Sequence, residues 1–275
     1  MLHRRVWRTA GAACVALSFV FLFAIVAFAQ ERDQDKGQEK VQDTLHDTAQ
    51  DAGQSGAQNV ALDKRQNAPG QFDYYVLALS WSPSYCEAAQ ARDPSRKAGM
   101  ECGGRPFAFV VHGLWPQYEK GFPSYCQVPA PKLDRAQVSG ALELMPSPIL
   151  VVHEWDRHGT CSGLSSSAYF ETMRKARAVV KIPPEYLNLA SPISVTPDDV
   201  AEAFVKINPG LTRADMAVAC DKTRLTEVRL CIAKDFSKES SKDFAFHACP
   251  DVARRSCARA KLDMPAVRGA RAAAN

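Results

Sequence analysis

Eight cysteines, at positions 86, 102, 126, 161, 220, 231, 249 and 257, constrain this chain more than any other feature. An even set of this kind reads as a disulfide framework in an oxidising compartment and as metal-binding or redox chemistry in a reducing one. The first 29 residues decide between the two. Arg4, Arg5 and Arg8 make a positive start, the stretch from Ala10 to Phe28 is uncharged and mostly apolar, and Ala27-Phe28-Ala29 closes it as a small-x-small cleavage site. The arginines hold the N-terminus inside. Residues 1–29 are therefore expected to be a signal peptide and the rest to be secreted or periplasmic, with no membrane contact after cleavage. An uncleaved anchor is the alternative, because the uncharged run is nearly long enough to span a bilayer. The ninth cysteine, Cys14, lies inside the leader. Four disulfides are expected, and counting alone leaves about 105 pairings open.

Residues 30–70 are rich in Gln, Asp, Glu, Lys and Ala, with no aromatic residue before Phe72. Such a segment buries too little apolar surface to offset chain entropy and is expected to be a disordered spacer. From residue 71 to residue 257 the composition turns globular, long enough for one domain with a substantial core. Residues 258–275 carry Arg259, Lys261, Arg268 and Arg271 among alanines, and are expected to be a basic disordered tail. The formal charge of +4 is unevenly distributed: the leader carries +3, the spacer −3 and the tail +3, which leaves +1 on 71–257. Bulk electrostatics therefore give no argument for a nucleic-acid partner, and any recognition must come from a local cluster.

Helices and strands alternate without a βαβ rhythm. Phe72 to Trp81 reads as an aromatic-rich strand closed by Ser82-Pro83, and Phe107 to Val111 as a second, buried strand. Ser166 to Lys181 is an amphipathic helix stopped by Pro183-Pro184. Thr196-Pro197-Asp198-Asp199 is a helix start, with a capping hydroxyl, proline at the first helical position and acids in the first turn. Asn208-Pro209-Gly210 ends that helix. Met216 to Cys220 and Leu225 to Ala233 suggest a hairpin. The expected class is α+β: a single domain with a central, mostly antiparallel sheet flanked by helices and stapled by disulfides.

Chemistry concentrates in His153-Glu154-Trp155-Asp156-Arg157-His158-Gly159-Thr160-Cys161. If that stretch is helical, residues 153 and 157 share a face and so do 154 and 158. This places titratable pairs side by side, as proton transfer beside a charged substrate requires. A second source is the end of the Phe107–Val111 strand, where His112-Gly113-Leu114-Trp115-Pro116-Gln117-Tyr118 puts an imidazole beside a glycine and two flat rings suited to stacking on a base. Two rival classes use some of the same residues. A zinc hydrolase would need histidines four apart with Glu after the first, whereas His153 and His158 are five apart. A noncatalytic RNA-binding protein would use Trp115 and Tyr118 but has no need of three histidines and Glu154.

Phe109 to Pro116 and His153 to Cys161 together resemble the two active-site segments of the ribonuclease T2 family, secreted endoribonucleases with little base preference. Ser80 to Cys86 and Leu225 to Cys231 extend the resemblance across the globular part. It implies His158 as general base toward the ribose 2′-OH, His112 as general acid toward the leaving 5′-oxygen, and Glu154 with Arg157 as stabilisers of the pentacoordinate transition state. His153 would bind phosphate, and Trp115, Gln117 and Tyr118 would contact substrate. Internal attack by the 2′-OH supplies its own nucleophile and leaves a 2′,3′-cyclic phosphate, so no metal or other cofactor is implied. The substrate would be single-stranded RNA, with DNA left uncut and the enzyme monomeric. Arg157 stands where this family commonly has Lys, a planar fork in place of a point charge, and Gln117 where many eukaryotic relatives have Asp. The resemblance pairs Cys126 with Cys161, Cys220 with Cys257, Cys231 with Cys249 and, by exclusion and proximity, Cys86 with Cys102.

Overall fold

The computed structural model describes residues 67–95, 99–236 and 245–269; the leader read over 1–29, the spacer up to residue 66 and the end of the tail, with Arg271, lie outside the described residues. In chain order the principal elements are β1 (Tyr74–Trp81), α1 (Ser82–Arg92), β2 (Phe109–Gln117), α2 (Arg135–Ala141), α3 (Pro148–Arg157), α4 (Ser166–Val179), β3 (Ile193–Val195), α5 (Pro197–Ile207), β4 (Met216–Cys220), β5 (Leu225–Ala233) and β6 (Leu262–Met264). The class is α+β, as expected. One antiparallel sheet runs in the order β2-β1-β5-β4, and a two-stranded ribbon pairs β3 with β6.

β1 is central, and this explains its composition. Tyr75, Leu77, Leu79 and Trp81 alternate onto one face and join Val111 and Leu114 of β2 and Val228 and Leu230 of β5 in the main core. Val151 and Trp155 of α3, Tyr169 and Met173 of α4, and Phe204 of α5 cover that face. The opposite face is thinner. Tyr74 and Val76 form a small cluster there with Cys231 and Cys249, and Trp115 packs against it. By register, Ser80 stands opposite Glu227 and Ala78 opposite Arg229, so this second face also carries two charged residues of β5 beside two small ones of β1.

The helices begin where local chemistry directs. Ser147 accepts from Leu150 N at 3.3 Å and Pro148 follows it, so α3 starts with a filled cap. Thr196 and Asp199 close a reciprocal capping box on α5. The disulfides join Cys86 to Cys102, Cys126 to Cys161, Cys220 to Cys257 and Cys231 to Cys249. The second of these ties the end of the His153 to Cys161 segment to the loop after β2.

Two expectations need correction. The second strand does not end at Val111 but continues to Gln117. Gly113 and Pro116 look like breakers, yet β2 is an edge strand, where the N–H that proline lacks is not required by a neighbour. The second correction concerns the chain after Cys257, which is not a free tail over its described length. Leu262 to Met264 form β6 against β3, Leu262, Met264 and Val267 are buried, and Pro265 O accepts from Trp81 Nε1 at 3.1 Å. Alternation over only three residues among alanines and arginines was too short a signal to read as a strand.

Candidate active site

Residues from three elements meet at the β2 edge. β1 and β2 fall out of register between Ala78/Leu79 and Gly113/Val111, which makes His112 the extra residue of a β-bulge. Bulges re-aim a side chain locally. His112 Nδ1 contacts Glu227 Oε1 on β5, although β1 lies between the two strands. The small side chains of Ala78 and Ser80 leave that crossing open, and Ser80 Oγ donates to the same Glu227 oxygen at 3.4 Å. Arg229 Nε donates to Glu227 Oε2 at 2.8 Å, and its guanidinium lies over the Trp115 ring, 5.3 Å from the centre.

α3 brings the second set. Val151 and Trp155 anchor one side of it in the core, with Trp155 Nε1 donating to Pro131 O at 2.7 Å. Glu154, 1% exposed, therefore points to β2. Trp115 Nε1 donates to its Oε2 at 2.6 Å, and His112 Nε2 stands 3.6 Å from its Oε1. Gly113 is what allows this approach: a Cβ there would lie 2.1 Å from Glu154 Oε2 and 2.2 Å from Trp115 Nε1. His158, at the C-cap of α3, tilts against Trp115 with ring centres 5.4 Å apart, while His112 meets the same indole edge-on at 5.3 Å. Both imidazoles thus pack against the one indole. Phe122 lies 6.5 Å from the His158 ring, and Arg157 reaches to 6.0 Å from the Tyr125 ring.

Electrostatics separate the two histidines. Burial disfavours the charged form of His112, but the Glu227 carboxylate, by charge and hydrogen bond, and Glu154 outweigh it and raise its pKa to about 9. His158 is held well below the ordinary imidazole range by burial and by the neighbouring Arg157, His153 and His112. Burial and Arg157 also lower His153 to about 4. Glu154 is pushed up to about 7 by burial, against the pull of His112 and the Trp115 hydrogen bond.

Of the residues singled out from sequence, His112, Trp115, His153, Glu154, Arg157 and His158 come together. Two do not join them. Tyr118 is 4% exposed in the main core, its hydroxyl accepting from Asn67 N at 3.2 Å, so its ring offers no face to a base. Gln117 is buried opposite Tyr74, its amide donating to Pro116 O at 2.9 Å. Sequence reading gave no role to Glu227, Arg229, Phe122 or Tyr125. A signal for the first pair existed, since Glu227 and Arg229 are two charges spaced for one face of an otherwise apolar strand.

The disulfide-stapled α+β scaffold thus brings a carboxylate and two imidazoles to one indole, a set of groups with the chemistry for proton transfer. The chain belongs to the ribonuclease T2 family, whose family model matches residues 72–242. A ribonuclease of Aeromonas hydrophila is 47% identical over 103 residues, 37% of this chain and 43% of that protein. A probable ribonuclease of Haemophilus influenzae is 33% identical over 132 residues, 45% of this chain and 48% of that protein. The chain thus spans under half the length of these two relatives. In fold it is similar to RNase NT, solved in complex with 5′-AMP, with a TM-score of 0.51, 23% identity and coverage of 71% of this chain and 99% of that one. A ribonuclease-related protein from Calystegia sepium gives a TM-score of 0.53 at 22% identity, over 70% and 97% of the two chains.

Proposed function

We propose that the protein is an exported endoribonuclease that cleaves single-stranded RNA by attack of the ribose 2′-OH on the adjacent phosphorus, leaving a 2′,3′-cyclic phosphate. The observation that carries the reading is the pair of imidazoles packed against Trp115 in opposite electrostatic settings, one beside two carboxylates and one beside Arg157. Titratable groups whose surroundings push their pKa values apart mark the acid and the base. His112, kept protonated, gives its Nε2 proton to the departing 5′-oxygen, and neutral His158 takes the proton of the 2′-OH.

Glu154, with its pKa near neutrality, can donate a hydrogen bond from its protonated carboxyl to a phosphoryl oxygen as charge builds there. Arg157 and His153 add donors on the His158 side. The ring of Trp115 is crowded by Arg229 and His158, whereas Phe122 and Tyr125, 40% and 48% exposed, present open faces near His158 and Arg157. Stacking of a base on one of them is sequence-tolerant and accords with low base preference. Because the 2′-OH is the nucleophile, DNA is not a substrate. The leader and the disulfides support export, and no helix among the described residues is long and apolar enough to cross a membrane.

The test is to incubate the protein with the dinucleotide CpA in EDTA and follow phosphorus NMR for a cyclic phosphate. Cleavage of CpA but not of its 2′-deoxy analogue, with near-complete loss in His158→Ala and His112→Ala, is expected, each histidine contributing about 10² to 10⁴ in rate. Abolition of cleavage by the chelator, or a product lacking the cyclic ester, would overturn the reading in favour of a metal hydrolase. Binding of RNA without turnover would favour a noncatalytic RNA-binding protein.

A further inference from the structure

Glu227 is 7% exposed, and both of its oxygens are engaged. Oε1 meets His112 Nδ1 and the Ser80 hydroxyl, and Oε2 is held by Arg229 through Nε at 2.8 Å. A carboxylate pinned at both oxygens cannot turn away from the imidazole. Arg229 in turn lies over Trp115, Trp115 donates to Glu154, and Glu154 Oε1 stands 3.6 Å from His112 Nε2. Five side chains from β2, α3 and β5 thereby close a ring that begins and ends on one histidine.

We propose that Glu227 is the positioning residue for His112: it holds Nδ1–H and so keeps Nε2 as the nitrogen that carries and releases the transferred proton, with Arg229 fixing the carboxylate from behind. This rests on the reading of His112 as general acid. The chemistry follows from the donor inventory. An ionised carboxylate only accepts, so the nitrogen facing it must bear hydrogen. In the charged ring the other proton then sits on Nε2, beside Glu154. As the 2′-oxygen forms its bond to phosphorus and the P–O5′ bond breaks, the Nε2–H bond breaks and an O5′–H bond forms. The ring is left as the neutral Nδ1–H tautomer, still hydrogen-bonded to Glu227.

Two features set this arrangement apart from an ordinary buried ion pair. Arg229 alone would satisfy Oε2, yet Oε1 is aimed at an imidazole two strands away. The bulge that makes His112 the extra residue of β2 and the small side chains of Ala78 and Ser80 both serve that one contact. The charged groups around His112 are Glu227 and Arg229 of β5, Glu154 of α3, Glu101 near α1, and the imidazoles of His153 and His158. Among the described residues, only Glu227 and Glu154 are carboxylates in contact with the ring.

The experiment compares CpA with a uridine 3′-phosphodiester of 4-nitrophenol, whose leaving group needs no proton. For Glu227→Gln, kcat on CpA should fall roughly 10- to 100-fold, within what a positioned proton donor contributes. KM and turnover of the aryl ester should stay near wild type, and the basic limb of the pH–rate profile should move to lower pH. Glu227→Asp should recover part of the loss. Equal loss on both substrates, or an unmoved basic limb, would overturn the proposal. His112→Ala is the reference: if it too loses both substrates equally, the general-acid reading has failed, whereas a selective loss there without one in Glu227→Gln refutes Glu227 alone. Nitrogen-15 shifts of His112 in the unmodified protein give a check that no variant's folding can obscure. Above its pKa the Nδ1–H tautomer is expected, and an Nε2–H tautomer would refute the positioning role.

Discussion

Across 39 residues of chain, the indole N–H of Trp115 donates to Glu154 Oε2 at 2.6 Å, and it supplies the partner that a carboxyl group buried this deeply needs. Trp115→Phe keeps an aromatic ring there and removes the indole donor. Leaving a buried oxygen unpaired costs about 1–3 kcal/mol, to be read from urea denaturation. Because this hydrogen bond pulls the Glu154 pKa down, its loss should raise that pKa further above about 7. Carbon-13 NMR of the carboxyl would show the change, and an unchanged titration would mean the bond has no hold on Glu154.

Gly113 is set by space rather than by backbone angle. Gly113→Ala puts a methyl group against Glu154 Oε2 and Trp115 Nε1, both anchored in the site. Overpacking of this kind costs about 1–3 kcal/mol. Displacing Glu154 should also cut kcat/KM by more than its effect on stability, since transition-state donors contribute roughly 3–4 kcal/mol. Wild-type kinetics in Gly113→Ala would show that the close approach of strand and carboxylate is dispensable.

The separated histidine pKa values predict a broad bell. kcat/KM should fall on the acid side as His158 takes up a proton below the ordinary imidazole range, and on the basic side near pH 9 as His112 loses its own. Stability is linked to the same groups. His112, raised in the folded state, contributes stability that is complete below about pH 6.5 and lost as pH rises through about 9. His153 and His158, lowered on folding, contribute in the opposite sense, and their share is lost as pH falls below about 6.5, down through about 4 for His153. Chemical denaturation at pH 7 and pH 9 should show a decline that His112→Ala removes; a decline of equal size in the variant would assign it elsewhere.

Truncation after Cys257 should not be silent. It removes β6 with the buried Leu262 and Met264, the buried Val267 and the Pro265 carbonyl that accepts from Trp81. At about 1.5–3 kcal/mol for each fully buried apolar side chain, the loss should be several kcal/mol in a urea titration. A truncated protein as stable as the full chain would show that β6 is not part of the cooperative unit.

Cys126→Ser with Cys161→Ser opens the loop between these two residues, 35 apart in sequence, which carries His153 and His158 near its end. The chain-entropy model puts the cost at roughly 4 kcal/mol. Activity under reducing conditions should fall in step with the loss of folded protein, and full activity in the double variant would detach the staple from the site.

The sequence by itself determined what depends on near neighbours: the capped start of α5, the apolar alternation of β1, and the grouping of His153, Glu154, Arg157 and His158 within one short stretch. Those features rest on contacts a few residues long, which linear order preserves. Tertiary structure alone decided that Glu227 and Arg229 stand beside His112, that Tyr118 turns into the core while Phe122 and Tyr125 face outward, and that residues after Cys257 complete a ribbon with β3. Each of these depends on strand order and on a one-residue bulge, and in a sheet a shift of one residue sends every following side chain to the other face.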